Sequence, residues 1–370
     1  MKYFAKTLFN GQTLLNDQVV TTKNGSVTSV QSGTAEQADT RIDGLLTPAY
    51  IDVQVNGGGG SLFNNEPTYA ALQRITQAHL KFGTGSLLPT LITDNLDTMQ
   101  QAADAIAQAI ANKLPGVIGV HFEGPHLSVP RRGIHPSEHI RDISEEEMRI
   151  FLRKDLGRVC VTVAPENVSP STIKTLVSHN VIVCLGHSNA TDKQTFDALA
   201  SGATGFTHLF NAMSPLQSRA SGVVGAALLS NDTYCGLIVD NEHVSITSCQ
   251  LAIKCKGPQE IMLVTDAMSH VGSEQNVLPF AGMDITRTGN KLTLENGTLA
   301  GSALDMQRAV QNAVELLNCS VIDALTMAST TPAAFLGLQH SKGCIAPGFD
   351  VEWIVLNDKL EVTQFIHQAH

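Results

Sequence analysis

Six polar residues fall where short apolar runs end: Gln54 and Asn56 in "DVQVNGGGG", Glu123 in "HFEGPH", His187 in "GHSNA", His208 in "THLFNAM" and Asp266 in "VTDA". One carboxylate and two imidazoles gathered from separate segments can hold a divalent metal and leave a position open for water. Each residue alone has a plainer use. A strand-end histidine is often a structural hydrogen bonder, Glu123 could pair with Arg131 or Arg132, and Asp266 could cap a helix. The joint placement of Glu123, His187, His208 and Asp266 at equivalent positions of four segments favours the metal. His121 lies two residues before Glu123, so it points to the same face one layer deeper and is expected to be a satisfied interior histidine.

A site of this kind needs a scaffold that brings strand ends together. From about residue 48, short apolar runs alternate with helical stretches: 50–55, 84–91, 116–122, 158–164, 181–186, 203–209, 234–240 and 261–267. Segments such as "TMQQAADAIAQAIANK", "SPSTIKTLVSHN" and "ATDKQTFDALASG" read as the helices between them, the last two starting near Ser or Thr caps. Repeated strand–helix units over this length indicate an α/β chain with a (β/α)8 TIM-type barrel at 47–338. A doubly wound sheet is the competing architecture, but "NGGGG" is not the dinucleotide fingerprint and no phosphate-loop pattern is present. Residues 1–46 and 339–370 are strand-rich, with Asn-Gly hairpin signals, and predict a small β-sandwich domain built from both termini. "MDITRTGNKLTLENGTLAGS" reads as inserted β structure, followed by helices near 303–317 and 321–336.

With 370 residues, 43% hydrophobic and 16% charged, the chain has the balance of a soluble enzyme-sized protein. Its net charge of −10 disfavours nucleic acid and anionic membrane as partners. No apolar run reaches the roughly 18 residues of a membrane span. Seven scattered cysteines without a C-x-x-C pair favour free thiols in a reducing compartment, hence a cytoplasmic location.

The segments "DVQVNG", "HFEGPHL" with "RRGIH", "VAPE", "GHSNAT", "THLFNAM" with "SR", "DNEHV", "LVTDA" and "LAGS" occur in this order over most of the chain. Together they resemble the N-acetylglucosamine-6-phosphate deacetylase family of the amidohydrolase superfamily. The resemblance implies one divalent metal per subunit, Zn²⁺ first and Fe²⁺ second, on Glu123, His187 and His208. It implies Asp266 as general base and acid, and His135 beside the reacting carbonyl. Asn211, Ala212, Leu299, Ala300 and Gly301 match substrate-contacting positions. Arg219 and His243 match phosphate-side contacts, in a family that is typically homodimeric with that site near the subunit interface. The implied substrate is an amino-sugar phosphate, N-acetylglucosamine 6-phosphate, with the galacto epimer as the alternative; a catalytically silent sugar-phosphate binder is the rival of another class.

In binuclear relatives the first strand carries His-x-His, and here Gln54 and Asn56 occupy that spacing. Neutral amides are poor ligands for zinc or iron. The expectation is therefore a mononuclear site, with Gln54 orienting water or substrate. "PAYID" at strand entry and the residues around "DNEHV" and "VTDAMSHVGSE" depart from the family's usual wording and leave the epimer as the open choice.

Overall fold

The computed structural model describes residues 1–368. Eight parallel strands form its central sheet in sequential order: Tyr50–Val55, Thr84–Ile92, Gly119–Glu123, Arg158–Val163, Ile182–Leu185, Gly205–Phe206, Tyr234–Leu237 and Ile261–Leu263. The two outer strands meet through the parallel bridge Val55–Ala267 and the Asp266 N–H to Gln54 carbonyl bond of 3.0 Å, so the sheet curls into a near-closed barrel. Strand residues are buried on both faces, which is why they read as plain apolar runs without alternation.

Helices cover the outside and begin where the caps indicated. Pro170–Ser178 starts after Ser169, whose side chain accepts the Thr172 N–H, and Asp192–Leu199 starts with a Thr191–Gln194 capping box. Asn95 caps Leu96–Ala111 in the same way. Each cap fixes where chain leaves the loop above a strand and turns back, and so fixes loop length at the site end of the barrel.

The strands of both termini make one six-stranded mixed sheet, in the order Val362–His367, Glu352–Leu356, Thr40–Pro48, Lys2–Phe9, Leu14–Lys23, Ser26–Ser32. The small β unit expected from both ends is thus one hydrogen-bonded sheet, folded over so that its last strand meets the C-terminal segment through the Ser26–Asp350 bridge. Trp353 and Tyr3, with ring centroids 5.5 Å apart, lie in its apolar cluster. The expected insertion is a three-stranded sheet, Val277–Phe280, Met283–Thr288 and Lys291–Thr293. Its Phe280, Ile285 and Leu292 pack with Met268, Ile92 and Ala300 into a separate apolar cluster beside the top of the barrel.

The loop "NGGGG" is a tight device. Gly57–Gly58 pairs with Ser61–Leu62, and a Cβ on Gly57 would meet the Ser61 carbonyl oxygen at 2.4 Å. His79, fully buried on the helix below, hydrogen-bonds the Gly57 carbonyl through Nε2 at 2.8 Å. Gly59 and Gly60 adopt φ of 61° and 83°, the left-handed region a turn needs here.

Candidate metal centre and active site

Three side chains converge above the barrel. Glu123 Oε1 lies 2.9 Å from His208 Nε2 and 3.1 Å from His187 Nε2, and the two Nε2 atoms are 3.0 Å apart. All three residues are almost fully buried. The His187 Nδ1–H donates to the Arg131 carbonyl at 2.8 Å, which leaves the Nε2 lone pair free for a ligand. Two imidazole nitrogens aimed at each other at this distance are poor mutual partners; donors on a cation about 2.0 Å away would sit about 3.3 Å apart. The donor set therefore fits one small divalent cation. His135 with Glu123 and His187 also offers ligand atoms within 4.8 Å of one another, but the Glu123–His187–His208 set is tighter.

The backbone turns sharply to achieve this. His187, His208 and Asp266 have φ of 47°, 31° and 50°, in a region that bulky residues seldom occupy. Such conformations cost on the order of 1–3 kcal/mol each and are retained where the surrounding structure enforces them. Each occurs within three residues after a strand ends, and turns a side chain over the barrel mouth. No helix begins at Asp266, so the capping alternative does not apply.

Burial alone would push the Glu123 carboxyl up, but the His187 and His208 hydrogen bonds and charges outweigh it and hold it well below the usual carboxylate range. Asp266 moves the other way: enclosure first, and the Glu123 charge second, raise its carboxyl. Its Oδ1 accepts two amide donors, Asn56 Nδ2 at 2.7 Å and Gln54 Nε2 at 3.1 Å, and Gln54 Nε2 also reaches Glu123 Oε1 at 3.2 Å. The two amides at the His-x-His spacing thus serve as N–H donors that fix one Asp266 oxygen. Asn56 was expected only as a poor ligand; its donor role depends on closure of the first strand onto the eighth.

His135 is oriented by Thr93, whose backbone N–H lies 3.3 Å and whose hydroxyl lies 2.8 Å from Nδ1. Since the backbone N–H donates, Nδ1 is an acceptor and the ring proton belongs on Nε2. Burial, then the neighbouring His187, holds this imidazole well below its ordinary pKa, the direction that favours the neutral ring. A neutral ring with Nε2–H is a ready donor to a developing oxyanion. His135→Ala should therefore lower kcat by about 10²-fold with a smaller change in KM, measured by steady-state kinetics. His121 sits one layer down, 2.7 Å from Thr162 Oγ1, and burial lowers its pKa to about 4. It is the interior histidine expected.

An open cavity of about 170 Å³ is lined by Glu123, His135, His187, His208 and Asp266, and also by Asn56, Asn211, Ala212, His243, Leu299 and Gly301. Ile92, Ile134 and Met268 add apolar wall. Gln54 lies beneath the wall and acts on the cavity through Asp266 and Glu123. Ala300 does not line it, because its methyl packs into the cluster with Leu292 and Met268. Arg219 is not brought to the cavity either, and is exposed on the loop after Met213. Thr93, which orients His135, carried no signal in sequence beyond its position near a strand end, whereas Asp240, which orients His243, opens the "DNEHV" motif but was given no role there.

Residues 45–368 match the Amidohydrolase family. The chain belongs to that family. This amidohydrolase is 48% identical over 330 residues to the N-acetylgalactosamine-6-phosphate deacetylase of Shewanella sp. (strain ANA-3), covering 89% of this chain and 84% of the relative. It is 34% identical over 307 residues to the N-acetylglucosamine-6-phosphate deacetylase of Haemophilus influenzae, covering 82% and 80%. Among solved structures, the N-acetylglucosamine-6-phosphate deacetylase from Pasteurella multocida superposes with a TM-score of 0.95 at 32% identity, over 100% of this chain and 99% of that one. A mutant of the Mycobacterium smegmatis N-acetyl-D-glucosamine-6-phosphate deacetylase, in complex with N-acetyl-D-glucosamine-6-phosphate, gives 0.93 at 29% identity, over 100% and 98%. Among the described residues no helix of the amidohydrolase is long and apolar enough to cross a membrane.

Proposed function

We propose that this amidohydrolase removes the acetyl group of an N-acetylhexosamine 6-phosphate, releasing acetate and the amino-sugar phosphate. The observation that carries this reading is the convergence of Glu123, His187 and His208 beside Asp266, His135 and His243 in one cavity. A divalent cation on Glu123, His187 and His208, zinc first and iron second, supplies Lewis-acid chemistry that polarises the amide and acidifies water. Asp266, held by Gln54 and Asn56 at Oδ1, takes a proton from the attacking water and delivers it to the departing nitrogen. His135 donates from Nε2 to the carbonyl oxygen as charge develops there. Asn211, Ala212, Leu299 and Gly301 border the sugar, and His243 serves the phosphate. Arg219, outside its own cavity, serves that phosphate only from across a subunit boundary, so its role and the expected homodimer stand or fall together. The free cysteines fit the expected cytoplasmic location.

For the epimer, the 48% identity to a galactosamine-type deacetylase supports N-acetylgalactosamine 6-phosphate as the preferred substrate. The gluco sugar, expected from the ordered motifs, is the second reading, supported by the structural neighbours. Parallel kcat/KM measurements on the two sugar phosphates decide it. A galacto preference of about tenfold or more is expected, corresponding to one lost hydrogen bond of about 1.4 kcal/mol. An equal preference for gluco overturns the epimer choice alone, whereas no acetate from either sugar overturns the deacetylase reading.

A further inference from the structure

The chain past the seventh strand folds back on one carboxylate. Asp240 Oδ1 accepts the backbone N–H groups of Glu242 and His243, each at 2.9 Å. Its Oδ2 lies 2.6 Å from His243 Nδ1, and the two side chains are only 3% and 8% exposed. Burial pushes the Asp240 carboxyl up, but the His243 hydrogen bond and charge outweigh it and the net direction is down. The turn is also anchored from behind, where Asn312 Nδ2 donates to the Val239 carbonyl at 2.7 Å. One aspartate thus sets both the loop and the ring it carries.

The consequence lies at the other nitrogen. With the Nδ1 proton donated to Asp240, Nε2 is the ring atom left to a ligand in the cavity that His243 lines. A phosphate monoester keeps or loses its second proton near pH 6, so one proton lies between Nε2 and a phosphate oxygen whichever group brings it. Positive charge then rests on the ring between two anions, phosphate on one side and Asp240 on the other.

We propose that Asp240 is a positioning residue for phosphate recognition: it fixes the His243 tautomer and balances the charge the ring carries when a 6-phosphate binds. This rests on the sugar-phosphate reading above. It assigns part of the preference for phosphorylated substrate to a residue that touches no substrate atom.

Asp240→Asn tests it. The amide still accepts the two backbone N–H groups through Oδ1, but offers an NH2 to Nδ1 where a carboxylate stood. The test compares kcat/KM of the metal-loaded enzyme for an N-acetylhexosamine 6-phosphate and for the same sugar without phosphate. The preference for the phosphorylated sugar is expected to fall about tenfold or more, the usual loss for one charge-assisted hydrogen bond, with the change in KM and not in kcat. Competitive inhibition by inorganic phosphate should weaken in parallel. A His243→Gln variant supplies the second arm: adding Asp240→Asn to it should lower the preference no further. If Asp240→Asn keeps the parent's preference, or adds its full effect to His243→Gln, the positioning role is overturned. If the parent itself shows no preference for phosphate, the sugar-phosphate reading fails, an outcome distinct from the first.

Discussion

Asp266→Asn is expected to lower kcat by about 10²–10⁴-fold while leaving metal content at the parent level and KM within a few-fold. The size follows from what the carboxylate does and what the amide retains. Asn can still accept the Gln54 and Asn56 donors at Oδ1, which lie 3.1 and 2.7 Å from the present oxygen, so the loop has little reason to move. In the proposed reaction, the change removes the atom that would take a proton from water and return one to nitrogen. Enclosure and the nearby Glu123 raise the Asp266 carboxyl, the direction that suits a group required first to accept and then to give. Steady-state kinetics with elemental analysis check the prediction. A variant within about threefold of the parent's kcat would show that another group moves the proton.

Removing the metal is expected to abolish turnover and lower Tm. Glu123, His187 and His208 place three ligand atoms within 3.1 Å of one another in a buried setting. Without a cation, the two facing Nε2 atoms can be satisfied only by taking up a proton between them and the carboxylate. A ligand present at about 1,000 times its Kd stabilises the folded state by about 4 kcal/mol, so reloading should be visible in a thermal melt. Glu123→Gln should mimic removal, because a neutral amide supplies neither the charge nor a strong ligand oxygen. Retained metal and activity in that variant would place the binding set elsewhere in the cavity.

Much of this was legible in the chain. Parallel strands covered on both faces leave short apolar runs, and the first run, 50–55, is the first barrel strand residue for residue. The sixth strand is only Gly205–Phe206, so its run was longer than the hydrogen-bonded element, and the third begins at Gly119 because residues 117–118 pair with Leu87 before the regular ladder starts. Glu123, His187, His208 and Asp266 were readable because a barrel exposes strand ends on one side. Less legible was whatever depends on packing between distant segments. Thr93 reaches His135 across 42 positions, and Asn56 reaches Asp266 across 210. Ala300 belongs to a motif that borders the cavity, yet its own methyl faces the inserted sheet, a difference of one residue that no spacing rule conveys.

The question raised by Gln54 and Asn56 has a physical answer in the same network. Where a second cation would be held by imidazoles, two amide N–H groups hold the aspartate instead, so a single metal suffices. The most direct test is a titration of the chelated, metal-free protein with Zn²⁺, following acetate release from an N-acetylhexosamine 6-phosphate. Activity should be absent at the start, rise in proportion to added metal and saturate at one equivalent per chain. Activity undiminished by complete metal removal, or saturation only at two tightly bound equivalents, would contradict the account.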